Sequence, residues 1–307
     1  MKPADIPCRK RRGDDLRMSH DLNARSALIT GASHGLGLEI ARSFVRAGAS
    51  VCICGRTAED LERAREELVA LAGDDRRVVA VTADVSCADS VTVLVEHALR
   101  HFPELTALVN NAGVYGPMGS IEEIDWDGWV EAVQINLFGS VLVARALVPH
   151  FKHRGYGKIV QLGGGGATAP MPGISAYAAS KAGVVRFAET LAKELRPHGV
   201  DVNALAPGAL NTRMLDEVLD AGPERVGQAY YDRAVAQQQS GGAAPARGAE
   251  LACFLVSAAS DGINGKLISA IWDPWDELLE HRSDLDSDVY TLRRIVPADR
   301  GLDWGLE

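Results

Sequence analysis

Thr30-Gly31-Ala32-Ser33-His34-Gly35-Leu36-Gly37 follows directly on the apolar run 26–30 and opens a helical stretch at 35–47. Each glycine in this run has a physical task. Glycine at the turn permits positive φ. Glycine at the helix start lets backbone N–H groups approach a pyrophosphate. A further glycine lets the helix pack closely on the strand. A glycine-rich turn between a strand and a helix reads as a dinucleotide-binding loop.

The pattern around this loop repeats. Apolar strands are predicted at 26–30, 51–54, 78–81, 107–109, 158–162 and 200–205. Helices are predicted at 35–47, 58–71, 88–101, 127–152 and 175–196. Strands this apolar are buried on both faces, as in a parallel sheet covered by helices. With right-handed crossovers the fold class is α/β, a doubly wound Rossmann-type sheet of about seven strands. Ligands in such sheets bind at the carboxyl ends of the strands.

Composition agrees with one globular unit. The 307 residues are 47% apolar and 24% charged, with a formal net charge of −9. That charge argues against a nucleic-acid footprint. No uninterrupted apolar run reaches the length that spans a bilayer, so no membrane partner is expected. Five cysteines without framework spacing fit a reducing, cytoplasmic setting. No spacing of cysteine, histidine and carboxylate completes a metal set. Residues 1–24 are polar and read as a disordered arm. Residues 25–270 form the catalytic domain, within which 209–246 reads as a substrate lid. Residues 271–307 are a C-terminal extension whose Trp272, Trp275, Trp304, Ile295 and Val296 are too apolar for a solvated tail.

Several further motifs stand in order along the chain: Asp84-Val85, Asn110-Asn111-Ala112-Gly113, Asn136, Tyr177-x-x-x-Lys181, and Pro207-Gly208 followed by Thr212. With the 30–37 loop they make the chain resemble the short-chain dehydrogenase/reductase family from about 26 to 270. The resemblance implies a cofactor site built by Gly31, Ser33, His34, Gly35, Leu36, Gly37, Arg56, Asp84, Val85, Asn111, Ala112, Gly113, Tyr177, Lys181, Pro207, Gly208 and Thr212. It implies that Asp84 and Val85 flank the adenine and that Thr212 reaches the nicotinamide carboxamide. It also implies a homodimer or homotetramer, assembled through the helices ending near Lys152 and Arg196.

The second strand runs into Cys54-Gly55-Arg56-Thr57, with no acid before Glu59. A site selecting NAD usually places a carboxylate there for the ribose 2′-hydroxyl, whereas a guanidinium fork suits a 2′-phosphate. Arg56, with His34 as a second donor, therefore predicts NADP, with NAD as the alternative.

Tyr177 and Lys181 lie four apart and share a helix face. A free phenol has a pKa of about 10, and a nearby ammonium favours its ionised form. Tyr177 is expected to be the general acid/base that interconverts a secondary alcohol and a ketone. By resemblance, Lys181 also holds the nicotinamide ribose and Asn136 supports a water-linked proton path.

One family residue is missing. The resemblance calls for a serine thirteen residues before the tyrosine, and Gly164 stands there, within Gly163-Gly164-Gly165-Gly166. Such a serine stabilises charge on the substrate oxygen. Four readings follow: Thr168 or Ser175 supplies the hydroxyl, backbone N–H groups of the glycine run act as a nest, a substrate hydroxyl fills the gap, or reductase activity has been lost. Gly164, Gly165 and Thr168 are taken as the substrate-binding positions. Continued catalysis is preferred because Tyr177, Lys181 and Asn136 remain. The alternatives are an epimerase-like enzyme that retains its cofactor and a silent regulatory or scaffold subunit.

Overall fold

In the computed structural model, residues 20–74 and 77–305 are described. The predicted disordered arm lies largely outside them. In chain order the elements are β1 (Ser26–Thr30), α1 (Gly35–Arg46), β2 (Ser50–Gly55), α2 (Ala58–Ala72), β3 (Val78–Thr82), α3 (Ala88–His101) and β4 (Ala107–Asn110). Then come α4 (Trp126–Val133), α5 (Gly139–Arg154), β5 (Gly157–Leu162), α6 (Ser175–Leu195) and β6 (Val200–Ala206). The chain continues through α7 (Arg213–Ala221), α8 (Pro223–Val226), α9 (Gln228–Ser240), α10 (Pro245–Val256) and β7 (Leu267–Ser269).

The seven strands form one sheet in the order β3-β2-β1-β4-β5-β6-β7, and every pairing is parallel. β1, β4 and β5 are buried along their whole length, which explains their unbroken apolar runs. One core packs side chains of α1, α2 and α10 against the sheet, and the other packs α3, α5 and α6 against its opposite face. Strand order reverses between β1 and β4, so their carboxyl ends open a crevice where the glycine loop and the residues after Asn110 face each other.

Two expectations need correction. The helix predicted over 127–152 is interrupted by a π-helical turn at Gln134–Phe138, between α4 and α5. Wide turns of this kind recur at functional sites. Second, the stretch Trp126–Arg154 is long and apolar enough, by length and composition, to cross a membrane. Isolated polar residues hide this from a search for uninterrupted runs. Its inward face, with Val143, Ala144, Leu147 and Phe151, is fully buried against the sheet.

The excursion at 209–246 folds as three helices whose ends meet. Leu210 bridges Ala243, and the Ala243 N–H donates to the Ala209 carbonyl at 2.8 Å. Leu215, Val218, Val226 and Ala234 of this excursion close over Met118 in a small third cluster, with Tyr115 and Tyr230 packed against it.

The C-terminal extension returns to its own domain. Trp275 is buried, with its ring 5.9 Å from Phe254 and the Arg247 guanidinium 4.7 Å above it. Farther on, the tail lies along the outer edge of β7. The Leu267 N–H donates to the Tyr290 carbonyl at 2.8 Å, and the buried Lys266 ammonium donates to the carbonyls of Ser287 and Val289. The tail is thus not purely solvated. Trp272, Trp304 and Ile295, expected to dock with Trp275, are exposed instead.

Candidate active site and cofactor cleft

The glycine loop has the shape its sequence implies. Gly31 and Gly35 have φ of 63° and 59°. A Cβ on Gly31 would stand 2.8 Å from Ala112 Cα, and one on Gly37 would stand 2.4 Å from both the Asn111 amide and the Gly31 carbonyl. At Gly35 the nearest atom would be Thr212 Cγ2 at 3.9 Å, so the loop opens toward Thr212. α1 starts with no side-chain cap and no acid in its first turn. Its first N–H groups therefore suit an anionic ligand. Leu36 and Gly37 are buried beneath, while His34 is exposed and its ring nitrogen pairs with the Ser33 hydroxyl at 2.9 Å.

The wall opposite is β4 and the residues after it. Thr30 Oγ1 accepts from the backbone N–H groups of Asn111 and Ala112 at 3.0 and 3.1 Å. The Asn111 amide donates to the carbonyls of Thr30 and Gly31. Asn111 thus braces the loop. Asn110, the first residue of the same motif, turns into the core and donates to the Ser140 carbonyl.

Just after β3, Asp84 accepts from both the hydroxyl and the N–H of Ser86. Burial pushes its carboxyl upward, but the Ser86 hydrogen bonds and the Arg56 charge outweigh burial, and the net shift is downward. Val85 is buried against Gly139, where a Cβ would approach Val85 Cγ2 to 2.8 Å. Arg56 projects from the end of β2 with a 59% exposed side chain, 3.9 Å from Glu131. At the far end, Thr212 stands at the N-cap position of α7 without a side-chain cap bond, Pro207 packs near Gly248, and Gly208 (φ 89°) packs against Ile271.

The candidate catalytic residues Tyr177 and Lys181, both on α6, lie by the ends of β4 and β5. Lys181 is buried and its ammonium donates to the Leu162 carbonyl at 2.7 Å. A Cβ on Gly113 would lie 3.4 Å from that ammonium, so Lys181 faces the cleft wall. Burial pulls Lys181 down to about 8. The Lys181 ammonium stands 5.8 Å from the centre of the Tyr177 ring. The sequence led us to expect a lowered phenol. Burial instead pushes Tyr177 up to about 12, with the nearness of Tyr230 adding to the shift. Desolvation wins over the distant cation, and Tyr177 is a neutral phenol that holds its proton.

Asn136 lies fully buried in the π-helical turn. Its Oδ1 accepts from the Val114 N–H and its Nδ2 donates to the Val114 carbonyl and to the Ser180 hydroxyl, at 2.8, 2.8 and 2.9 Å. Ser180 in turn donates to the Tyr177 carbonyl. Asn136 therefore ties the segment after β4 to α6. Its side chain is fully used in holding these elements, and its main-chain oxygen accepts from Ser140.

The glycine run is fitted to α6. A Cβ on Gly164 would stand 2.5 Å from the Tyr177 hydroxyl, and one on Gly166 would stand 2.8 Å from Ala178 Cα. The tyrosine oxygen rests against the backbone where the family carries a side chain. Gly165 and Thr168 are exposed. The Ser175 hydroxyl is engaged by the Trp129 indole at 3.1 Å. The N–H groups of Ala167, Thr168 and Ala169 bond within their own turn.

Two residues that sequence reasoning passed over belong here. Tyr115, directly after Asn111-Ala112-Gly113-Val114, sets its ring edge-on to Tyr177 with centroids 4.8 Å apart. Tyr230, on α9, packs with Tyr115 against the third apolar cluster. The position of Tyr115 just past a cleft-lining motif was a usable signal. Tyr230 gave none, because only the fold of the 209–246 excursion brings it near.

A family description, short chain dehydrogenase, matches residues 25–222, and the chain belongs to that family. D-beta-hydroxybutyrate dehydrogenase of Cupriavidus necator is 31% identical over 257 residues, covering 82% of this chain and 96% of its own length. Among solved structures, actinorhodin polyketide ketoreductase with NADPH superposes with a TM-score of 0.72 at 30% identity, covering 80% of this chain and 95% of its own. NAD+-bound xylitol dehydrogenase gives 0.74 at 25% identity, covering 81% and 98%. The chain is thus an NAD(P)-dependent oxidoreductase of alcohols and ketones.

Proposed function

We propose that the chain is an NADP-dependent oxidoreductase that interconverts a secondary alcohol and a ketone, with Tyr177 as general acid/base. The observation that carries this reading is the meeting of Tyr177 and Lys181 with a glycine cradle whose open side faces Thr212. When bound, the nicotinamide exchanges hydride with the carbonyl carbon. In reduction, Tyr177 gives its proton to the substrate oxygen, and a buried neutral phenol is suited to that task. Lys181 spends one N–H on Leu162 and keeps two for the nicotinamide ribose. Asn136 holds the segment after β4 against α6, which carries both residues.

The NADP preference rests on Arg56, exposed at the end of β2 with no acid in the turn. Glu131 and Asp84 stand near enough to orient its fork without burying it. The same reading makes the protein a cytoplasmic homodimer or homotetramer joined through α5 and α6, which light scattering measures.

The test is turnover of 3-hydroxybutyrate, xylitol, acetoacetate and a bicyclic ketone, followed by nicotinamide absorbance with each cofactor. Tyr177→Phe should lower kcat by at least about a hundredfold while cofactor binding persists. Arg56→Ala should raise the KM for NADP about tenfold or more and leave that for NAD within about twofold, as expected for a lost charged hydrogen bond. An unchanged cofactor preference would sink the NADP assignment. Tightly held cofactor without net turnover would favour the epimerase-like or silent reading.

A further inference from the structure

The gap at Gly164 poses a chemical question. As a carbonyl is reduced, negative charge builds on its oxygen, and a second hydrogen-bond donor beside the general acid stabilises it. In the family a serine provides that donor, and Gly164 has no side chain to do so. Neither hydroxyl suggested by the sequence converges on Tyr177. Ser175 is bound to Trp129, and Thr168 is exposed on the loop. Nor is there room for a side chain at 164, because the Tyr177 hydroxyl already lies 2.5 Å from where its Cβ would be.

A different hydroxyl is at hand. Tyr115 leaves the end of β4 two residues after Gly113, on backbone that Asn136 pins through both polar groups of Val114. Its ring stands at 65° to that of Tyr177, with 4.8 Å between centroids. Its far end reaches toward Tyr230 of α9. Three phenols thus converge from three elements that only the finished fold brings together: α6, the segment after β4, and the 209–246 excursion. A phenol carries one O–H: beside Tyr230 the Tyr115 pKa is raised, the sense of Tyr115 donating there, and a substrate oxygen would draw that single O–H to itself. Burial, reinforced by its neighbours, holds the Tyr115 hydroxyl well above its usual range, so the donor keeps its proton across the working pH range.

We propose that Tyr115, steered by Tyr230, is the second hydroxyl donor to the substrate oxygen and takes the place of the side chain that Gly164 lacks. The inference rests on the oxidoreductase reading above. In the reductive direction a reduced nicotinamide dinucleotide supplies the hydride to the carbonyl carbon. The C=O π electrons move to oxygen, and the proton that completes the alcohol comes from Tyr177. Tyr115 donates a hydrogen bond throughout and transfers nothing. Tyr115 is then a catalytic residue and Tyr230 a positioning residue.

The experiment compares wild type, Tyr115→Phe, Tyr230→Phe and Tyr177→Phe on the four probes named above, with NADPH fluorescence reporting cofactor binding in each. Phenylalanine keeps the ring that packs on Tyr177, so the fold of the site is retained. We expect Tyr115→Phe to lower kcat about a hundredfold, with cofactor affinity unchanged. The pH profile of kcat should keep its inflection, because Tyr177 still moves the proton. Tyr230→Phe should lower kcat roughly three- to tenfold with KM little changed, the effect of one neutral hydrogen bond. A Tyr115→Phe enzyme within about threefold of wild type, beside an inactive Tyr177→Phe, would overturn the inference and leave the oxidoreductase reading standing. A loss accompanied by a shifted inflection would also overturn it, since Tyr115 would then act only by shaping Tyr177. Cofactor binding without wild-type turnover on these probes would remove the reading and the inference with it.

Discussion

At the scale of single residues, Gly164 and Tyr177 explain each other. The phenol oxygen occupies the volume that any side chain at 164 would need. Gly164→Ala and Gly164→Ser should therefore both displace the phenol. A misplacement of about 1 Å at a reacting group costs on the order of a hundredfold in rate, and we expect kcat to fall by about that much while nicotinamide binding stays intact. Activation by the serine variant in steady-state kinetics would contradict the packing. The sequence made Gly164 conspicuous through the absence of a family residue. It could not show why glycine is there, because the reason is a clash with a side chain thirteen residues away. The protonation of Tyr177 was unreadable for a related cause: the expected lowering needed the ammonium close by, and the fold puts 5.8 Å and a desolvated pocket between them.

At the scale of elements, the loop from Thr30 to Gly37 was legible because its glycines answer to backbone geometry, which sequence encodes locally. What holds the loop to its opposite wall was not. Thr30 is a strand-end residue by pattern, yet its buried hydroxyl accepts two backbone N–H groups from the segment after β4. Thr30→Val keeps the shape and removes the acceptor. Leaving two donors unsatisfied in a buried setting should cost about 2–4 kcal/mol, measured as a lower urea midpoint at unchanged m-value. Cofactor affinity should weaken as well, since β1 and β4 would no longer be held at one spacing. The 209–246 excursion, legible as a separate segment of the chain, folds as α7, α8 and α9. The contact of Tyr230 with the site depends on how those helices pack on Met118, which periodicity does not specify.

At the scale of the whole molecule, the doubly wound parallel sheet followed from the alternation of apolar strands and helices. The course of the tail did not, since tryptophans signal docking without naming the surface. Only Trp275 is buried, while the later segment closes the open edge of β7 through main-chain hydrogen bonds and the Lys266 ammonium. A chain ending at Asp286 loses these partners and leaves a buried cation and an edge N–H unmatched. We expect a loss of about 2–4 kcal/mol and a melting temperature lower by roughly 5–10 °C. Unpaired strand edges template association, so the shortened chain should also show concentration-dependent growth in light scattering. An unchanged melting curve would mean that the tail contributes nothing to the sheet.

The π-helical turn at Gln134–Phe138 carries a constraint on how this protein can vary over time. It spends one residue more than an α-helical turn, which rotates everything after it by about 100° relative to a regular continuation. That phase lets Asn136 point at Val114 and Ser180 while Val143, Leu147 and Phe151 still face the sheet. Substitutions on its outer side, as at the exposed Phe138, leave the phase intact. Deletion of any single residue there would swing one set of side chains away from its partners. The segment can change its letters only on its outer face, and it is fixed in its length and at Asn136.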